Sequence, residues 1–122
     1  GHELIVGCSI DPELGRVLMV GAGGIWAEIM DDVCFLALPT SRQAIRSALR
    51  SLRLAPILDG ARGQPALDAD AAVDVIHRIA RQFQTDTWVQ EVDINPLLVR
   101  PAGRGAVALD ALVVPALPGE QA

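Results

Sequence analysis

The segment from Trp88 to Arg100 constrains the fold most, because its polar and apolar residues alternate with the period of a β-strand. As a strand it puts Glu91, Asp93 and Asn95 on one face and Val92 and Ile94 on the other. Pro101-Ala-Gly-Arg104 then reads as a tight turn, and Gly105 to Val114 as a second, largely apolar strand. A two-residue loop at Ala102-Gly103 sets a register in which Asn95 lies opposite Asp110, with Cβ atoms about 5 Å apart. One amide and one carboxylate at that spacing, with Asp93 one pleat away, suit a hard cation such as Mg²⁺ that carries phosphate oxygens. A solvated strand face ending in an Asn-Pro turn is the competing reading.

The sequence Glu91-Val-Asp-Ile-Asn-Pro-Leu, with the later Leu109-Asp110-Ala111, resembles the end of the ATP-grasp domain of ADP-forming acyl-CoA synthetases. These are the acetate–CoA ligase (ADP-forming) and succinyl-CoA synthetase β-subunit relatives. The resemblance continues through Glu3-Leu-Ile-Val-Gly7, Asp11-Pro-Glu-Leu-Gly15, Val20-Gly-Ala-Gly-Gly-Ile25, Glu28 with Asp32, and Gly60-Ala-Arg-Gly63 with Asp68. It implies an α+β fold, an antiparallel β-sheet with two helices, forming the C-terminal subdomain of an ATP-grasp fold across residues 3–114.

By the same resemblance, Asn95 and Asp110 hold the Mg²⁺ of Mg–ATP, and Asp93 lies near the phosphoryl-transfer site. Gly23 and Gly24 shape a loop near the nucleotide. Arg62, held between glycines, can reach a phosphate or a partner's acid. The implied parent interconverts acid, CoA and ATP with acyl-CoA, ADP and phosphate through a phosphohistidine. Its partners would be a CoA-binding domain or subunit carrying that histidine and an N-terminal ATP-grasp lobe.

Two positions depart from the family pattern. Leu36 stands where a basic residue is usual, and Gly60-Ala61-Arg62-Gly63 replaces Gly-Tyr-Arg-Gly. A cation lost near a phosphate site would weaken charge neutralisation. This favours an alternative, a non-catalytic regulatory module of a fused protein acetyltransferase.

At 122 residues the chain is one domain by size, and 51% hydrophobic residues with a mean hydropathy of +0.34 support a globular core. Net charge −5 and a pI near 4.8 argue against a nucleic-acid surface. No apolar run approaches the roughly 18 residues of a membrane span. Cys8 and Cys34 lack a paired motif and read as reduced, buried thiols of a cytoplasmic protein. Gly1-His2 reads as a tag remnant, and 115–122 as a flexible tail.

Along the chain, Glu3 to Ser9 and Arg16 to Val20 form a hairpin around the Asp11–Gly15 turn. Gly21 to Gly24 break the pattern without the Gly-Lys-Ser/Thr ending of a phosphate-cradling loop. Ile25 to Met30 and Val33 to Leu38 read as further strands. Thr40 or Ser41 caps a helix to about Leu52, which Pro56 ends. Asp68 or Asp70 caps a second helix to about Gln84, with Ala72, Val75/Ile76, Ile79/Ala80 and Phe83 on one face. One uncovered face of such a lobe is expected to leave apolar residues of Ile25 to Leu38 exposed beside the carboxylates, or to promote self-association.

Overall fold

The computed structural model describes residues 1–24 and 31–117, with the side chain of Arg62 outside that description. The strand expected over Ile25 to Met30 therefore lies outside the described residues. Strand β1 (His2–Asp11) and strand β2 (Gly15–Ala22) form the first hairpin. Its turn is closed by the Asp11 carboxylate, whose Oδ1 accepts from the Glu13 and Leu14 N–H groups at 2.8 and 2.9 Å. Gly15 follows at φ 78°, where glycine carries no Cβ penalty. Gly21 and Ala22 do not break the strand but finish it. A Cβ on Gly21 would sit 2.6 Å from Val33 Cγ1 and 2.8 Å from the Asp32 carbonyl oxygen, so glycine here lets the next strand close in. The bend itself falls at Gly23 and Gly24.

Strand β3 (Val33–Ala37) pairs with β2. Helix α1 (Arg42–Ser51) begins at Ser41, whose side chain accepts from the Ala44 N–H. Pro56 does not end α1. It lies at the start of a separate four-residue helix α2 (Ala55–Leu58), where a missing N–H costs nothing. Helix α3 (Ala69–Thr85) is capped by Asp68, which accepts from the Ala71 N–H. Strand β4 (Val89–Val99) follows, then β5 (Ala106–Ala108) and β6 (Ala111–Pro115). The single second strand expected from Gly105 to Val114 is thus split at Leu109 and Asp110.

The sheet runs β3-β2-β1-β4-β5, with β6 also on β4. All its pairings are antiparallel. The two hairpins therefore join through β1 and β4, a contact between the chain's two ends. His2, at the start of β1, pairs with Val99.

Helices α1 and α3 cover one face. Leu4, Val6, Leu18, Val20, Ile94, Leu97 and Val99 of the sheet meet Ile45, Leu49, Val73, Ile76 and Phe83 of the helices. Each fully buried Ile, Leu or Phe contributes about 2 kcal/mol. The exposed Arg42–Asp74 and Arg46–Asp70 pairs that bridge the helices contribute at most about 1 kcal/mol each. Burial, not charge, holds the helices down.

Cys8 is buried, which pushes its thiol up to about 12, whereas Cys34 is only half-buried. Arg16 caps the far end of α3. Its guanidinium stacks 4.3 Å from the Phe83 ring centre and donates to the Phe83, Thr87 and Val89 carbonyls.

Asp32 is the buried charged residue among the described ones, at 7% exposure. Its carboxylate accepts from the Arg53 and Leu54 N–H groups at 2.8 and 3.1 Å, satisfying the turn between α1 and α2. Asp32→Ala should cost about 2 kcal/mol by stranding both donors, read as a lowered urea midpoint with an unchanged slope.

Asp68 carries a second test. The Gly105 N–H, then those of Ala71 and Gly103, hold its carboxyl below the ordinary value of 3.8. A depressed folded value means the stability it contributes is complete above the ordinary value and is lost as pH falls through the lowered one. The urea midpoint of Asp68→Asn should therefore trail the wild type at neutral pH and converge with it as pH falls through the lowered value.

Candidate functional site

The helix-free face of the sheet carries the acids. Register places Asp93 beside Gly7 of β1 and Leu112 of β6, with Met19 and Phe35 completing the row across β2 and β3. Ile94 and Val92 turn toward the helices, so the alternation read from the sequence holds from Glu91 to Asn95. Beyond Asn95 it changes frame, and Leu97 and Val99 become the buried positions.

The cause lies at Asn95-Pro96. In a regular antiparallel strand successive residues turn their N–H and C=O toward opposite neighbours. Here Asn95 N–H donates to the Asp110 carbonyl at 3.1 Å, and the Pro96 carbonyl accepts from Leu109 N–H at 3.0 Å. Both groups address the same edge. Pro96 has no N–H to leave unpaired on the β1 side, and there β1 advances from Leu4 to Val6 while β4 advances from Leu97 to Ile94. The bond between Asn95 and Pro96 is cis.

The β4–β5 turn has the predicted form. Arg104 N–H donates to the Pro101 carbonyl at 2.8 Å, and Gly103 sits at φ 83°. The predicted register survives the kink: Leu97 pairs with Ala108 before it and Ile94 with Ala111 after it. Asn95 and Asp110 are therefore cross-strand neighbours, both with exposed side chains. Asp93 is half-buried one pleat away. Among the described residues, no hydrogen bond occupies the side chains of Asp93, Asn95 or Asp110, so their oxygens are free to accept from a ligand.

No three His, Cys, Asp or Glu side chains converge among the described residues. An amide and a carboxylate alone do not cage a cation. They match the one or two protein ligands that Mg²⁺ takes when phosphates and waters fill its remaining positions.

The remaining site candidates lie apart from this pair. Gly23 donates to the Glu3 carbonyl at 2.9 Å, and Gly24 has φ 73°. Glu3 pairs with Leu98 on the same open face, and its Oε2 lies 2.9 Å from where a Gly24 Cβ would be. Glu3 is thus another acid of this face that the sequence analysis read only as part of a motif. Its signal was an acid at the open-face position of a strand whose Leu4 and Val6 are buried.

Arg62 belongs to a 3-10 turn, Ala61–Gly63, between Gly60 at φ 90° and Gly63 at φ 75°. That loop is tied to the hairpin tip by Ala102 N–H donating to the Ala66 carbonyl. The tip lies six residues along β4 from Asn95, on the order of 20 Å. The backbone therefore does not bring Arg62 next to the Asn95–Asp110 pair.

Leu36 corrects an expectation. It packs against the core under the helices with Cys34 and Leu38, while its neighbour Phe35 takes the open face. A basic residue at 36 would point away from the acids, so its absence removes no charge from their side. Of the span Ile25 to Leu38 expected to lie uncovered, Phe35 is 65% exposed beside the acids, while residues 25–30 lie outside the described residues; Leu112, outside that span, adds a second exposed apolar side chain at 58%.

Among the described residues no helix is long and apolar enough to cross a membrane. The pattern of the ATP-grasp domain matches residues 1–114. Trans-feruloyl-CoA synthase FCS1 of an unknown prokaryote is 42% identical over 114 residues, 93% of this chain and 16% of that protein. The acetate–CoA ligase (ADP-forming) II β-subunit of Pyrococcus furiosus is 36% identical, over 93% of this chain and 49% of the subunit.

The dinucleotide-forming acetyl-coenzyme A synthetase 1 of Ca. Korarchaeum cryptofilum superposes with a TM-score of 0.88 at 32% identity. That match covers 95% of this chain and 54% of the other. It was solved with coenzyme A and Mg-AMPPCP, its phosphohistidine segment pointing towards the nucleotide binding site. This chain thus spans about half, or less, of the proteins it matches. It belongs to the ATP-grasp domain family, as a segment homologous to the β-subunits of ADP-forming acetate–CoA ligases.

Proposed function

We propose that this chain is the nucleotide- and Mg²⁺-holding part of an ADP-forming acid–CoA ligase. Such an enzyme converts acid, CoA and ATP reversibly into acyl-CoA, ADP and phosphate through a phosphohistidine. The observation that carries the reading is the Asn95–Asp110 pair, joined across the strands by a backbone hydrogen bond, both side chains exposed and without a hydrogen-bond partner among the described residues. Support comes from the relatives' names and from the Korarchaeum neighbour with Mg-AMPPCP bound.

Bound Mg²⁺ would neutralise charge on the phosphates as the phosphoryl group moves. Asn95 and Asp110 would fix where those phosphates lie. Asp93, half-buried beside them, would face the incoming histidine and orient it. Gly23 and Gly24, with Glu3 against them, would line the nucleotide further along the sheet, and Arg62 would meet a phosphate or an acid of a partner. The exposed Phe35 and Leu112 rim this face. They suit coverage by an N-terminal ATP-grasp lobe, with a CoA-binding domain or subunit supplying the histidine. A cytoplasmic location follows from a reaction that consumes ATP and CoA.

The alternative, a non-catalytic module regulating a fused acetyltransferase, drew on Leu36. With Leu36 turned to the core, that support falls away. The test uses the full open reading frame that carries this chain. Asp110→Asn should slow Mg²⁺-dependent phosphorylation of the catalytic histidine by about 10- to 100-fold. Its melting temperature should stay put, because the side chain is exposed and has no hydrogen-bond partner among the described residues. Phosphorylation at the wild-type rate would refute the metal assignment and return weight to the regulatory module.

A further inference from the structure

We infer that Asp68 is a positioning residue for the Asn95–Asp110 pair, an inference that rests on the metal reading just given. Asp68 touches neither residue. Its carboxylate instead joins the start of α3 to the hairpin that carries both. Oδ1 accepts from the Ala71 N–H at 3.2 Å and caps the helix. Oδ2 accepts from the N–H groups of Gly103 and Gly105, at 3.1 and 2.8 Å. The backbone around it repeats the join: Asp68 N–H donates to the Arg100 carbonyl, Ala102 N–H to the Ala66 carbonyl, and Leu67 bridges to Pro101.

The hairpin depends on this join because β5 is short and lies at the sheet's edge. It makes three pairs, Leu97 with Ala108, Leu98 with Val107 and Val99 with Ala106, before the ladder breaks at Leu109. Asp110 comes directly after the break. Its place is set from one side by the Asn95 and Pro96 hydrogen bonds, and from the other by wherever β5 delivers the chain.

Gly103 and Gly105 both have positive φ, at 83° and 84°, and no atom crowds a Cβ at Gly103. They are glycines for their backbone conformation. That conformation turns both N–H groups to one carboxylate. Without that acceptor the backbone ties at Arg100, Pro101 and Ala102 remain, but the N–H groups of Gly103 and Gly105 lose their hold, so the segment that leads into β5 and on to Asp110 is fixed less closely against α3.

Ser at position 68 separates the two jobs. It caps a helix as well as Asp does but is too short to reach the hairpin. The experiment measures Mn²⁺ binding, by the electron paramagnetic resonance of the free ion, to the full-length protein saturated with ADP. Asp68→Ser, Asp68→Asn and Asp110→Asn are compared with the wild type well below their melting temperatures. Asp68→Ser should weaken Mn²⁺ binding about tenfold, the low end for removing hydrogen bonds that support a metal ligand. Asp68→Asn keeps one acceptor and should fall between.

If Asp68→Ser proves unfolded, Asp68→Asn is read in its place. A lowered melting temperature with wild-type Mn²⁺ affinity, beside a weakened Asp110→Asn, would make Asp68 merely structural and overturn the inference alone. Wild-type affinity in Asp110→Asn would instead remove the metal reading beneath it.

Discussion

Strand β4 is paired on both edges, and it contains a residue that cannot donate a hydrogen bond. Pro96 forces the ladder to change at one place, and the molecule distributes the change unequally. Toward β1 an extra residue is absorbed where no N–H is available. Toward the hairpin partner the register stays constant and the partner strand breaks into β5 and β6. Before Asn95 the strand turns its acids to the open face. After Pro96 it turns Leu97 and Val99 into the core. The same strand thereby closes the hydrophobic layer at one end and presents oxygen ligands at the other.

Local patterns in the chain anticipated the elements that depend on neighbours in sequence. The Ser41 and Asp68 caps, the α3 stripe and the Ala102-Gly103 turn all follow from residues within a few positions of one another. The turn then carried a long-range consequence, because its register set Asn95 opposite Asp110.

What escaped were contacts between distant residues. Nothing in Arg16 foretells that it will hold the end of α3, sixty-seven residues away. Gly21 reads as a break, yet the close approach of Val33 and Asp32 makes it part of a strand. Asp32, legible in the sequence only through the family resemblance, is a buried acceptor for Arg53 and Leu54. Leu36 was misjudged for the related reason that a sequence comparison shows a missing charge but not the direction it faced.

Site and scaffold divide along the two faces of one sheet. The helix face is apolar, well packed and closed by helix caps. The open face holds Glu3, Glu91, Asp93, Asn95 and Asp110 among exposed Phe35 and Leu112. Under the proposed function these oxygens would meet a metal carried in on phosphates. In phosphoryl transfer most of the catalysis is positioning and charge neutralisation, a task that oxygen donors of this kind would suit.

In the proposed function Asn95 and Asp110 together hold the nucleotide's metal. Anomalous diffraction from crystals of the full-length protein grown with Mn²⁺ and a non-hydrolysable ATP analogue tests it directly. The expected result is a manganese peak shared by Asn95 Oδ1 and an Asp110 carboxylate oxygen, each about 2.1 Å away, with phosphate oxygens completing the shell. Manganese on the phosphates with both side chains out of reach would contradict it.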